Sequence, residues 1–351
     1  MSFSTPIIAD LIKKVESIIG RKERRPQSFI HLKKKNFYIN RNSLIRCIFR
    51  PVAPEVKKSH LRIYPKNIKE KLRLLNRLLF QRDKFASSAD IIKISANLNL
   101  FYIDRGIRIK IFVPGNIRTT EEFKNEIFIR ENIKKSGLLP VPKLLEYHLN
   151  TGLYFFIDEI VYGDILPWSH PDTFFIFKRL IPQMWKYYQS TGIVWNTPER
   201  MGIDIHKAVG DYNNLIIDSK YNIDFDLKKI RMFSDKLIPC SIIHGDLTVE
   251  NIIITPERYY IIDWELSRND FIIFDFIKIL LLREWDFRED IEKLMEGEIK
   301  NSFGNCTHRV LSFSDQCLLA FFLDVCEELR NSDSSLNSME RFEQQFKRIH
   351  Q

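Results

Sequence analysis

Two acids and an amide stand close together in residues 241–265, SIIHGDLTVENIIITPERYYIIDWE. Asp246 and Asn251 lie five residues apart, just after the apolar run Ile242–Ile243. Asp263 follows seventeen residues after Asp246, at the end of a second apolar run, Tyr259–Ile262. Between the runs, Thr255–Pro256–Glu257–Arg258 is a turn signal. The stretch therefore reads as a loop, a strand, a tight turn and a strand ending on an acid. Such a hairpin brings two carboxylates and an amide oxygen to one rim. Hard oxygen donors there suit Mg²⁺, which takes one or two carboxylates plus phosphate oxygens. The plainer alternative has Asp246 and Asn251 capping backbone groups beside an ordinary hairpin. Three spacings would then have to coincide by chance.

The elements that must position these residues start near residue 90. Ile91–Ser95, Leu100–Asp104 and Ile107–Phe112 read as short strands, the last two joined across Asp104–Arg105–Gly106. In the third, Ile107, Ile109 and Ile111 alternate with Arg108, Lys110 and Phe112. A helix opens at Thr119 or Thr120 and runs through Glu126 to about Lys135, where Gly137 and Pro140–Val141–Pro142 end it. Strands Lys143–His148 and Tyr154–Asp158 follow, separated by an Asn150–Thr151–Gly152 turn. After Gly163 the pattern is helical, over Thr173–Gln189, Phe225–Lys236, Phe274–Glu284, Arg288–Lys300, Phe313–Leu329 and Ser338–His350, with only the central hairpin interrupting.

Five strands and a helix, a connector, then helices around one hairpin resemble the kinase-like phosphotransferases. The closer resemblance is to the aminoglycoside phosphotransferase and choline kinase-like families. It rests on His244–Gly245–Asp246 with Asn251, on Asp263–Trp264–Glu265 and on Asp275–Phe276. Protein kinases carry Arg after the His and Phe–Gly after the metal-binding Asp; Gly245 and Trp264–Glu265 stand in those places here. Upstream, Phe123-x-x-Glu126, the Val141–Pro142 turn and Glu159–Ile160–Val161–Tyr162–Gly163 extend the likeness over roughly residues 90–285.

What the resemblance implies is an α+β, protein kinase-like two-lobe fold. A basic N-terminal extension, 1–89, would precede a nucleotide-binding sheet lobe with one helix, 90–158, and a mostly helical lobe, 159–351, with the catalytic loop, metal site and acceptor pocket. Asp246 would orient the acceptor hydroxyl and take its proton late. Asn251 would assist it, and Asn251 with Asp263 would hold Mg²⁺. Lys110 would meet the α- and β-phosphates of ATP, held by Glu126; Arg108, on the same strand face, is its rival. Backbone groups of Glu159 and Val161 would meet the base, which leaves GTP open. His244 would brace the loop, and Asp275 would tie down its backbone. One departure stands out. The phosphate-covering turn, Ser95–Asn99, has no glycine to let its backbone approach phosphates closely.

The first ninety residues carry 22 Lys+Arg against 7 Asp+Glu, a balance of +15, within a net charge of +9. They suit an anionic partner or a membrane surface, although a solvated face paired with the acidic body explains them as well. Thr5–Pro6 starts an amphipathic helix, Ile7–Ile19, with Gly20 as its stop and packing onto the body as its expected use. Short strands at Phe37–Ile39 and Leu44–Phe49 and a basic helix over Ile68–Leu79 follow, with a boundary at Ser87–Ala89. No apolar run reaches transmembrane length. No secretory leader is read at the N-terminus, and the five cysteines form no CxxC, so a reducing cytoplasmic setting with buried thiols is expected.

An ATP-dependent kinase acting on a hydroxyl of a small molecule or saccharide follows as the leading expectation. The alternatives are a nucleotide-binding scaffold without catalysis, which the glycine-free turn favours, and a protein kinase. Thr248, where protein kinases often have a catalytic-loop lysine, argues against the last. The acidic run Glu289–Glu298 could line a cationic pocket, and Trp168, Trp185, Tyr187, Tyr188 and Trp195 could stack on sugar rings. Helical spacing makes a solvated face and a core the plainer readings.

Overall fold

The computed structural model describes residues 5–19, 27–32, 37–40, 83–85, 89–94, 97–112, 120–150, 153–167, 169–217, 223–280 and 286–330. Among them it is an α+β structure in two compact units: Met1–Ile165 with Ile252–Glu265, and Leu166–Asn251 with Leu266–Gln351.

The first unit is built on an eight-stranded sheet whose paired strands are all antiparallel. In chain order its elements are α1 (Thr5–Ile18), β1 (Gln27–Leu32), β2 (Phe37–Asn40), β3 (Asp83–Phe85), β4 (Ile91–Ile94), β5 (Leu98–Tyr102), β6 (Ile107–Phe112), α2 (Thr120–Ser136), β7 (Leu144–Asn150) and β8 (Leu153–Glu159). The strand order is β3-β1-β2-β4-β5-β6-β8-β7. The boundary expected at 89/90 thus falls inside a sheet, because β2 pairs with β4 and continues the ladder into the basic section. The hairpin, Ile252–Ile254 with Tyr259–Ile261, also belongs to this unit and not to the helical one.

Alternation along β6 assigns its two faces. Ile109 and Ile111 join Ile92, Leu100, Phe155 and Ile157 in a core that α1 closes with Leu11, Ile12 and Val15. Those three α1 residues form the apolar stripe of an amphipathic helix. Glu16, buried beside them, is satisfied by the Tyr102 hydroxyl at 2.8 Å. On the other face, Phe112 packs with Phe156 and with Phe123 and Ile127 of α2. Lys110 and Arg108 share that second face.

In the second unit the helices are α3 (Pro171–Thr191), α4 (Ile205–Ile217), α5 (Leu227–Arg231), α6 (Ile273–Leu280), α7 (Arg288–Phe303) and α8 (Phe313–Arg330). The α4 helix was not expected, and the helix expected over Phe225–Lys236 stops after a turn and a half. More than the hairpin interrupts these helices. Val194–Asn196, Ile238–Ile243 and Arg268–Phe271 form a three-stranded antiparallel sheet. The middle strand delivers the chain directly to His244. The expected elements at 44–49, 68–79 and 338–350, with Trp168 and with Ser95 and Ala96 of the Ser95–Asn99 turn, lie outside the described residues.

Candidate active site

In the first unit, Lys110 is the centre of a small charge cluster. Its Nζ lies 3.1 Å from Glu126 Oε2, 2.9 Å from Glu265 Oε2 and 3.8 Å from Asp263 Oδ1. Burial alone would push this ammonium below the ordinary lysine range. Glu126, Asp263 and Glu265 outweigh that penalty and raise it. Arg108 is engaged elsewhere, making two bonds to Asp158 at 2.9 and 2.5 Å. Arg130, one helical turn after Glu126, reaches Asp158 at 3.0 Å and Glu126 at 4.0 Å. Burial would raise the Asp158 carboxyl, but the two guanidiniums hold it below the usual aspartate range. Charges therefore alternate from Asp158 through Arg130 to Glu126, with a hydrogen bond at the Asp158 end and a looser approach at the Glu126 end.

Asp263 sits at the end of the hairpin with φ +65°, the only described non-glycine residue in the left-handed region. The next residues turn back, Trp264 buried and its Nε1 donating to the Ile261 carbonyl. This turn leaves the Asp263 carboxylate about half exposed, at 49%. Glu265 also accepts from Asn97 Nδ2 at 3.1 Å, so one carboxylate joins the glycine-free turn to the strand lysine. Gly163 is required by closeness. A Cβ there would stand 2.3 Å from the Ile254 carbonyl, against which Asp164 makes its bridge. Glu159 turns its carboxylate onto the Lys143 amide at 2.9 Å, and Val161 is buried. The Glu159 side chain thus serves the β7–β8 pairing.

The second unit holds the loop after Ile243. Its geometry is set by Asp275 of α6, fully buried, which accepts from the His244 and Gly245 amides at 2.7 and 2.8 Å. The Tyr188 hydroxyl donates to the same carboxylate at 2.7 Å. Burial pushes Asp275 above the ordinary aspartate range, against the opposing pull of these donors. Gly245 has φ +82°, and a Cβ would meet the Leu266 carbonyl at 2.3 Å. The close approach leaves no room for the arginine that protein kinases place there, and the positive φ adds strain for any side chain. Buried His244 accepts the Asp246 amide on Nδ1 at 3.2 Å, which is a bracing contact within the loop.

Asp246 is thus presented part-exposed, with Asn251 Nδ2 bonded to its Oδ2 at 3.0 Å and to its backbone carbonyl at 2.7 Å. The Asn251 amide nitrogen thus bonds twice within the loop, which ties its side chain to Asp246. The sequence reading missed a further group here. Lys278 Nζ stands 2.7 Å from Asp246 Oδ1. No local spacing marks it, because the contact spans 32 residues. Glu265 and the Asp158–Arg130 pair were missed for the same reason.

The acceptor side offers less. Trp185, Tyr187 and Tyr188 are buried, and Trp185 stacks on Phe276, so they belong to the core. Trp195 is edge-on to Phe303 at 4.8 Å. In the acidic run, Glu289 pairs with exposed Lys293, and Asp290 with Lys178. Among the described cysteines, Cys240, Cys317 and Cys326 are buried free thiols, while Cys306 is exposed. No described helix is long and apolar enough to cross a membrane.

Residues 225–306, the segment from just before α5 to just past α7, match the model of the phosphotransferase enzyme family, APH. No curated protein matches the chain. Several solved structures do. A thermostable mutant of aminoglycoside phosphotransferase APH(4)-Ia is 14% identical, with TM-score 0.43 over 72% of this chain and 89% of that one. A choline/ethanolamine kinase family protein from Mesorhizobium loti is 15% identical, with TM-score 0.42 over 74% and 85%. An aminoglycoside phosphotransferase from Alicyclobacillus acidocaldarius is 11% identical, with TM-score 0.45 over 74% and 87%. The matched family segment contains the His244–Asp246 loop, Asn251, Asp263 and Asp275.

Proposed function

We propose that the protein is an ATP-dependent phosphotransferase that moves the γ-phosphate to a hydroxyl of a small molecule or saccharide. The observation that carries this reading is the Asp246 loop. Its carboxylate is part-exposed, its backbone is clamped by a buried aspartate, and the Asn251 amide is bonded to it.

Phosphoryl transfer asks the protein for positioning and charge neutralisation more than for covalent work. Asp246 accepts a hydrogen bond from the acceptor hydroxyl and aims its oxygen at the γ-phosphorus. A new P–O bond forms as the bond to the bridging β–γ oxygen breaks. That electron pair leaves on ADP, and the hydroxyl proton passes to Asp246. Lys110, held by Glu126, is the group for the α- and β-phosphates. Asn251 and Asp263 each carry a hard oxygen donor of the type Mg²⁺ takes, and both are assigned to it by the motif; Mg²⁺ would neutralise phosphate charge when bound. Backbone groups near Glu159 and Val161 are assigned to the base, and the sequence does not separate ATP from GTP there.

The test is Mg²⁺-dependent ADP release by wild type and Asp246→Ala, screened across amino alcohols, sugars and aminoglycosides. Release above background that one acceptor stimulates and the variant lacks supports the reading. Nucleotide binding with equal turnover in both proteins overturns it and supports a scaffold.

A further inference from the structure

The α6 helix is apolar except at two charged positions. Ile273, Phe276, Ile277 and Ile279 are buried, and only Asp275 and Lys278 carry charge. At a spacing of three residues they lie on one face. Together they grip three consecutive residues. Asp275 takes the amides of His244 and Gly245, and Lys278 takes the carboxylate of Asp246. The two oxygens of Asp246 are divided, Oδ1 on the Lys278 ammonium at 2.7 Å and Oδ2 on the Asn251 amide at 3.0 Å.

The Lys278–Asp246 pair is part-exposed on both sides, at 39% and 34%. An ion pair so open to water adds little to folding, so stability does not account for a lysine on this helix. Its effect is on one dihedral choice. With both oxygens held, the carboxylate is fixed in one orientation, and each oxygen keeps a lone pair for an incoming O–H. Within the loop itself no lysine is available, since Thr248 occupies the place where protein kinases often supply one.

We infer that Lys278 is the positioning residue of Asp246, a loop lysine supplied from α6. This rests on the phosphotransferase reading. Lys278 forms no bond to phosphorus and moves no proton. It orients the carboxylate that receives the hydroxyl proton, and misplacing such a group by an ångström costs on the order of 100-fold in rate.

The experiment uses the full chain with Mg²⁺ and ATP, water serving as acceptor. It compares kcat, the KM for ATP and thermal unfolding of wild type, Lys278→Met, Lys278→Arg and Asp246→Ala. The expected result is a fall in kcat for Lys278→Met of roughly 10- to 100-fold, with KM and the unfolding midpoint unchanged and most of the rate restored in Lys278→Arg. Wild-type kcat in Lys278→Met, while Asp246→Ala is slow, overturns the role of Lys278 and leaves phosphoryl transfer standing. So does a loss that tracks a fall in unfolding midpoint and is no smaller in Lys278→Arg. ADP release by wild type no faster than by Asp246→Ala, with water and with every acceptor of the hydroxyl screen, overturns the phosphotransferase reading and, with it, this role.

Discussion

The buried Lys110 ammonium lies 3.1 Å from Glu126 Oε2, joining the middle of β6 to the first turns of α2. Removing one partner of a buried pair leaves an uncompensated charge, which costs about 3–5 kcal/mol. Here Glu265 remains at 2.9 Å, so Glu126→Gln should sit at or below the low end of that range. Without Glu126, the lysine is drawn to Glu265 and Asp263 and away from phosphate. The expected outcome is a KM for ATP raised about tenfold or more, from loss of a charge-assisted bond. Calorimetric ATP titration checks it.

Asp275 supports a comparison between two variants. Asp275→Ala strands two backbone amides and a phenol in a dry site, and should cost about 3 kcal/mol or more. Tyr188→Phe removes one donor and leaves the two amide bonds, for a cost of about 1 kcal/mol. Urea unfolding of both variants orders them. A larger effect from Tyr188→Phe would mean that the clamp on His244 and Gly245 is not what Asp275 provides.

Gly245→Ala places a Cβ at φ +82° and 2.3 Å from a backbone carbonyl. Neither can be relieved by a side chain moving. A loss of about 3 kcal/mol or more is expected, with turnover falling further than stability because Asp246 is the next residue. Gly202 also has a positive φ, +75°, but open space around it. Gly202→Ala should therefore cost less, by thermal unfolding.

The Asp158 site predicts a pH dependence. Its folded pKa is depressed by Arg108 and Arg130. A depressed acid contributes stability that is present above its unfolded pKa, about 4, and is lost as pH falls toward the folded value. Asp158→Asn should be less stable than wild type near neutrality. The gap should narrow as pH drops below about 4. Unfolding midpoints measured down that acid limb check it.

The legible parts of this chain were those written in short spacings. His244–Asp246, Asn251 and Asp263 announced a loop and a hairpin because each lies within a few residues of an apolar run. The β6 alternation separated the isoleucine face from the Lys110 face for the same local reason. Contacts across long stretches left no trace. Asp158 meets Arg130 over 28 residues and Lys278 meets Asp246 over 32. Gln27–Leu32 escaped notice because its pattern is not strictly alternating, and its strand exists by pairing with β2 and β3. The three strands of the second unit are brief and far apart in sequence, and they fall between the expected helices, where nothing local marks them as a sheet. The α4 helix does carry a start signal, Asp204, whose carboxylate accepts the Lys207 amide at 2.9 Å, but Gly210 and Asn213–Asn214 weaken the helical pattern that follows.

The most direct measurement of the central claim is ³¹P NMR of Mg²⁺ and ATP with an acceptor drawn from the hydroxyl screen. Wild type is predicted to deplete the γ-phosphate resonance and build a phosphomonoester resonance, only when Mg²⁺ is present, while Asp246→Ala leaves ATP intact. A phosphomonoester formed equally by Asp246→Ala, or ATP left untouched by wild type across the whole screen, would contradict the account.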